Sequence, residues 1–228
     1  YLALCEEGSG KYYEAFKSYQ KVLDEYPQSE RVKEVIEKEY QTGNLFFSGR
    51  EKKILGLSFS SALERAVEIF QKVIANEPFG KYSDLSQFKL GLCRAKQGKY
   101  DEALEKYTAA KEAAPDSDIV NFDLGAALYQ KGMYQESVDA FTKALNTEDR
   151  EIEASAIYNI ANAKYKLGST MADTDLNGAA NLYRESIDYY KRAIESDEKN
   201  TDAKFNHELA ERELKALLEK IKNQPQQQ

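Results

Sequence analysis

The chain has a single histidine, His207, so no Ser-His-Asp, Cys-His or multi-histidine metal constellation can be assembled around it. It follows Asn206 and reads as a surface or edge residue. Carboxylates are plentiful, as in Glu6-Glu7 and Asp173/Asp175, but the acids alternate with Lys and Arg as solvated helix faces do. The run Asp173-Thr174-Asp175-Leu176-Asn177 carries some of the oxygen donors of a calcium loop and lacks its distal glutamate. No glycine-rich loop that could cradle a phosphate is present. These residue types point away from an enzyme, and neither a metal nor a cofactor is expected.

What must position these side chains is a repeated pattern. A small residue is followed twelve positions on by alanine or serine, and four further on by an aromatic, as in Gly91/Ala103/Tyr107 and Gly125/Ser137/Phe141. The two glycines lie 34 residues apart, and such a period means a helical hairpin stacked repeatedly. Four prolines, 16 tyrosines, 10 phenylalanines and no tryptophan suit short helices interlocked by aromatics. A net charge of -7 argues against nucleic acid as a main partner, since phosphate binding needs clustered Lys and Arg. No apolar run approaches the roughly 18 residues of a membrane span. No signal peptide is visible, and the chain opens on Tyr1 inside the pattern.

The pattern resembles the tetratricopeptide repeat (TPR) family over nearly the whole chain. Its fullest unit, 84–117, has Leu90-Gly91, Gly98, Tyr100, Ala103, Tyr107, Ala110 and Pro115; unit 118–151 has Leu124-Gly125, Gly132, Tyr134, Ser137, Phe141 and Ala144. The resemblance implies an all-α fold, a right-handed α-solenoid of about five helical hairpins with a C-terminal capping helix. Its units are 1–28, 29–83, 84–117, 118–151 and 152–200, with the cap at 201–222 and a disordered tail at 223–228. Gly91 and Ala103 are expected to face one another across their hairpin, with Tyr107 and Phe141 filling the gaps between hairpins. Gly98 and Gly132 are expected at positive φ. Cys5 and Cys93 each follow a small residue of the pattern by two positions, which reads as a slot for buried free thiols; a disulfide would have to cross two repeats.

Two insertions interrupt the frame. The segment 50–61 is basic, then apolar (Arg50, Lys52, Lys53, then Ile54, Leu55, Leu57, Phe59), and ends in serines able to cap a helix. It reads as an apolar loop folded over its own hairpin or as a membrane-surface or partner contact. In 169–181, after a turn at Gly168, Asp173-Thr174-Asp175 reads as an N-cap cluster, with a short loop near 169–174 and a helix running backwards from Tyr190. In the last helix Glu208 occupies the slot of the small residue, so no partner helix is expected to follow it.

Link lengths differ along the chain. Residues 1–98 are similar in style to BamD-type envelope TPR proteins, which implies the periplasm or the outer membrane, although the lipid-bearing cysteine of such proteins is absent. Residues 98–222 are similar to Bat-type bacterial TPR proteins. Both uneven drift in one natural protein and an engineered join of two TPR proteins near 84–107 account for the contrast.

In the TPR family the first helix of each hairpin lines a concave groove. The resemblance places Tyr40, Asn44, Phe47, Phe88, Phe122, Tyr129, Tyr158, Asn162, Tyr165 and Lys166 there, as aromatic anchors and polar handles for a protein or peptide partner. The same rings could serve to pack neighbouring helices instead. Tyr158 and Tyr165 are expected to be partly exposed and Phe122 mostly buried. The carboxylate clamp of heat-shock co-chaperones is not matched, with Phe88, Leu92, Phe122 and Ala126 at its positions and only Asn159 fitting. At the N-terminal end Tyr12, Tyr13, Phe16 and Tyr19 are expected to lie near an incompletely covered face that favours self-association. The reading is therefore a non-enzymatic interaction scaffold or, alternatively, a fragment of a BamD-like assembly protein.

Overall fold

Several helices begin at a side chain that satisfies the free N–H groups of the first turn. Ser58, Ser117, Asp149, Asp175 and Asn200 each accept a backbone hydrogen bond from two or three residues ahead. The computed structural model describes residues 1–49 and 58–223, with the backbone alone of Phe59. Among the described residues there are eleven helices and no strand. The chain divides into two compact units, Tyr1–Ala113 and Ala114–Gln228.

In the first unit α1 (Leu2–Gly8) pairs with α2 (Tyr12–Glu25), α3 (Val32–Ser48) with α4 (Phe59–Asn76), and α5 (Lys81–Lys96) with α6 (Tyr100–Ala113). In the second, α7 (Asp118–Gln130) pairs with α8 (Tyr134–Ala144) and α9 (Arg150–Met171) with α10 (Leu176–Ser196), while α11 (Thr201–Lys222) packs on α10. Among the described residues no helix is long and apolar enough to cross a membrane. Gly98 and Gly132 turn their hairpins at φ of +73° and +76°. A Cβ at either would touch nothing, so the requirement there is backbone conformation and not space.

Space is the requirement at the small residue of the pattern. A Cβ on Gly43 would lie 2.7 Å from the Phe70 ring, on Gly91 2.5 Å from Tyr107, and on Gly125 2.8 Å from Phe141. The bulky neighbour of Gly91 is thus Tyr107, not Ala103: the aromatic of the second helix packs against the glycine of its own hairpin. Phe141 in addition reaches Ile160 and Ala163 of the next hairpin. The position between glycine and ring acts differently where it is serine. Ser137 Oγ donates to the Gly125 carbonyl (2.8 Å), and Ser186 Oγ to that of Ala161 (2.9 Å).

Other expectations need correction. Helix α9 does not turn at Gly168 but runs on to Met171, with Gly168 buried against Leu182 and Tyr183. The insertion lengthens both helices of its hairpin, and the connection is 172–175, not 169–174. Asp175 caps Gly178 at 2.8 Å, so the acidic run is a helix start. Ser58 caps α4 as expected; residues 50–57 lie outside the described residues, as does 224–228 of the tail. Phe16 and Tyr19 are buried and Tyr12 and Tyr13 half-buried, because α2 is covered by α1, α3 and α4. The exposed apolar residues of that end are Tyr1, Leu2 and Leu4. His207 is half-buried at the edge of α11, its Nδ1 3.8 Å from Glu211.

Cys93 is buried against Phe46 and Leu63, but Cys5 is exposed. The slot faces the preceding hairpin, which α5 finds in α3 and α4. On α1 the buried residue is Ala3, and Cys5 points away from it. Burial pushes the Cys93 thiol up to about 12. A chromogenic thiol reagent is therefore expected to titrate one cysteine per native chain and two after denaturation; two reactive thiols in the native protein would contradict this placement.

Candidate functional site

The candidate residues fall into two groups, one in each unit. In the first unit Tyr40, Asn44 and Phe47 stand on α3 and Phe88 on α5. Tyr40 stacks with Phe70 and Tyr82 at centroid distances of 5.9 and 5.2 Å. Asn44 Nδ2 donates to the Tyr40 carbonyl of its own helix at 3.1 Å. The Phe47 ring is flanked by the ammonium groups of Lys89 and Lys96, each 5.1 Å from its centroid. Phe88 is buried against Tyr107. Each of these four side chains is engaged inside the unit.

A common geometry underlies both groups. The first-helix aromatic pairs with the second-helix aromatic of the same hairpin: Tyr40 with Phe70, Phe88 with Tyr107, Phe122 with Phe141 and Tyr158 with Tyr190, all at 5.4–6.1 Å. Such tilted and edge contacts stabilise beyond the area they bury. These rings are anchored on one side by the hairpin and vary in how much of the other side stays open. Tyr158 and Tyr165 are half-buried, as expected. Phe122 is half-buried too, more open than expected, and meets Phe141 in an edge contact.

In the second unit the geometry converges. Tyr129 from α7, Asn162, Tyr165 and Lys166 from α9, Tyr190 from α10, and Asn206 and Leu209 from α11 line a cavity of about 200 Å³. Asn162 joins two of the others through hydrogen bonds. Tyr190 O–H donates to Asn162 Oδ1 at 2.6 Å, and Asn206 Nδ2 donates to the same oxygen at 3.2 Å and to the Tyr158 hydroxyl at 3.0 Å. Both donors thus converge on Oδ1, which turns the Asn162 Nδ2 group away from them. That group donates to nothing among the described residues. Asn206 Oδ1 likewise accepts from nothing among the described residues.

An amide donor on Asn162 and an amide acceptor on Asn206 are the kinds of group that pair with the C=O and N–H of a peptide backbone. The Tyr129 and Tyr165 rings supply flat apolar walls, and their hydroxyls are held above the usual phenol range by burial. Lys166 is exposed at the rim. Apolar walls with a few convergent polar groups are the usual composition of a ligand site. No group of three or more His, Cys, Asp or Glu side chains among the described residues is placed to hold a metal ion.

Four of the ten expected residues, Tyr129, Asn162, Tyr165 and Lys166, line this cavity, with Tyr158 bonded to Asn206 just behind it. Sequence reasoning missed Tyr190, Asn206 and Leu209. Asn206 carried a signal, since Phe205-Asn206 repeats the pair Tyr158-Asn159. Tyr190 carried none, because its ring belongs to the core and its hydroxyl alone reaches the site.

Comparison with known proteins agrees with the repeat reading. Family models described as tetratricopeptide repeat match residues 1–29, 61–118 and 88–154, together more than half of the chain. A crystal structure of MamA is similar at TM-score 0.60 and 16% identity, covering 89% of this chain and 98% of that one. MamA from Desulfovibrio magneticus RS-1 (its residues 41 to end) is similar at TM-score 0.57 and 16% identity, covering 88% and 93%. YrrB, a TPR protein with an unusual peptide-binding site, is similar at TM-score 0.58 and 17% identity, covering 88% and 86%. No curated protein matches the sequence.

Proposed function

We propose that this chain, which belongs to the tetratricopeptide repeat family, is a non-enzymatic scaffold whose C-terminal unit holds an extended peptide segment of a partner protein in the cavity around Asn162. The observation that carries the reading is the convergence of Tyr129, Asn162, Tyr165, Lys166 and Asn206 on one cavity, with an unused amide donor on Asn162 and an unused amide acceptor on Asn206. The similarity to YrrB supports it, since YrrB has a peptide-binding site. An extended segment fits better than a helix. Its backbone offers unpaired C=O and N–H groups, whereas a helix has used them internally.

The BamD-type style of 1–98, the Bat-type style of 98–222 and an engineered join rest on link lengths and on the last helix. The matched models and structures support tetratricopeptide repeats without favouring any of the three. The proposal includes self-contact at the N-terminal end through Tyr1, Leu2 and Leu4, exposed there on and beside α1. Sedimentation velocity at rising concentration is expected to show a growing dimer fraction, and a constant monomer would remove this part.

The peptide reading is tested by panning a displayed random-peptide library on the intact chain. Enriched sequences that bind as free synthetic peptides support it. A library that yields no binder above background counts against it.

A further inference from the structure

Glu39 on α3 is fully buried, a rare state for a carboxylic acid without an ionic partner. It sits where three helices of the first unit meet. Gln20 Nε2 of α2 donates to one carboxyl oxygen at 2.5 Å, and Asn76 Nδ2 from the end of α4 to the other at 3.2 Å. No ion pair reaches it among the described residues. The same helix carries Tyr40, Asn44 and Phe47, so the junction fixes the helix that bears them.

We propose that Glu39 is a pH-sensitive latch: its buried carboxyl ties α3 to α2 and α4, and the charge it gains as pH rises, with no ion pair among the described residues to offset it, loosens the first two hairpins. The charged groups facing it are few. Lys72 on α4 favours the ionised form and Asp24 on α2 opposes it. From α1, Glu7 is taken up by Lys38 and Tyr19, and from α5 the nearby titratable group is Tyr82, stacked on Tyr40. Two amide donors stabilise the carboxylate, but burial outweighs them and pushes the carboxyl up to about 7.

The direction of the effect follows from proton counts. Between the ordinary carboxylate range and pH 7 the folded chain keeps a proton that the unfolded chain has released. Stability from this group is therefore complete at low pH and lost as pH rises through about 7. The folding equilibrium of the first unit is expected to weaken on the order of a hundredfold across that interval.

Backbone hydrogen exchange of the intact chain at pH 5.5 and 8.5, corrected for the intrinsic rate, reads this by segment. Peptides from α2, α3 and α4 are expected to lose protection at the higher pH, and the loss should vanish in Glu39→Gln, which keeps the shape and one acceptor oxygen without titrating. Equal loss in Glu39→Gln and the parent would overturn the proposal. Should the variant fold poorly, carbon-13 NMR of the parent's Glu39 carboxyl decides the matter. A midpoint near 7 supports the latch, and one in the ordinary carboxylate range overturns it.

Discussion

Gly91→Leu is expected to destabilise the first unit by several kcal/mol. A Cβ at Gly91 would already lie 2.5 Å from the Tyr107 ring, which is itself buried and boxed in by Phe88. Ring and helix cannot both stay in place. Overpacking of this kind typically costs about 1–3 kcal/mol, occasionally more, and leucine brings three further carbons beyond the Cβ. The better helix propensity of a non-glycine residue returns at most ~1 kcal/mol, so the steric term decides the sign even for Gly91→Ala. Gly8, on exposed α1, is the control. A Cβ there meets nothing within 4 Å, and Gly8→Ala is expected to stabilise by roughly 0.5–1 kcal/mol. Thermal and urea melts of the three variants check both signs. An unchanged midpoint for Gly91→Leu would show that glycine and ring do not face each other.

Asn162→Ala is expected to lower both stability and peptide affinity, through separable causes. Its loss removes the acceptor of the Tyr190 hydroxyl, a group on a ring that is almost wholly buried. An unsatisfied buried donor costs about 1–3 kcal/mol, whereas removing both partners can be nearly neutral. Adding Tyr190→Phe to Asn162→Ala is therefore expected to restore much of the stability. Affinity should not return, because the free amide donor of Asn162 is still missing. A hydrogen bond of roughly 1–1.5 kcal/mol corresponds to about tenfold in Kd, and loss of the wall formed by Tyr165→Ala should cost at least as much. Recovery of affinity in the double variant would show that Asn162 acts through core packing alone.

The helices were legible in the sequence because two signals agreed: small and aromatic residues recurring at fixed offsets, and capping residues ahead of α4 and α10, the serines that end 50–61 and Asp173-Thr174-Asp175. Gly98 and Gly132 were legible because positive φ is a property of one residue type. Three-dimensional partnership was less so. Gly91 and Tyr107 are sixteen residues apart in the sequence, and the offset alone does not say which ring covers which glycine. Cys5 and Cys93 share a slot in the pattern, but it is the packing of α3 and α4 against α5 that buries Cys93, and spacing does not show it. Gly168 looks like Gly132 in sequence and differs because α9 continues past it. At the candidate site, Tyr158, Asn162 and Tyr165 of α9 were readable from the resemblance to the TPR frame, while Tyr190 reaches in from the core and could be found only from its bond to Asn162.

The most direct test of the account is side-chain amide NMR of Asn162 and Asn206 in the intact chain, recorded while a library-selected peptide is titrated in. The account predicts that the Asn162 Nδ2 signals shift downfield and saturate together with binding, with ring signals of Tyr129 and Tyr165 moving in step. Binding that leaves these signals in place and perturbs another surface, such as the exposed apolar residues of α1, would contradict it.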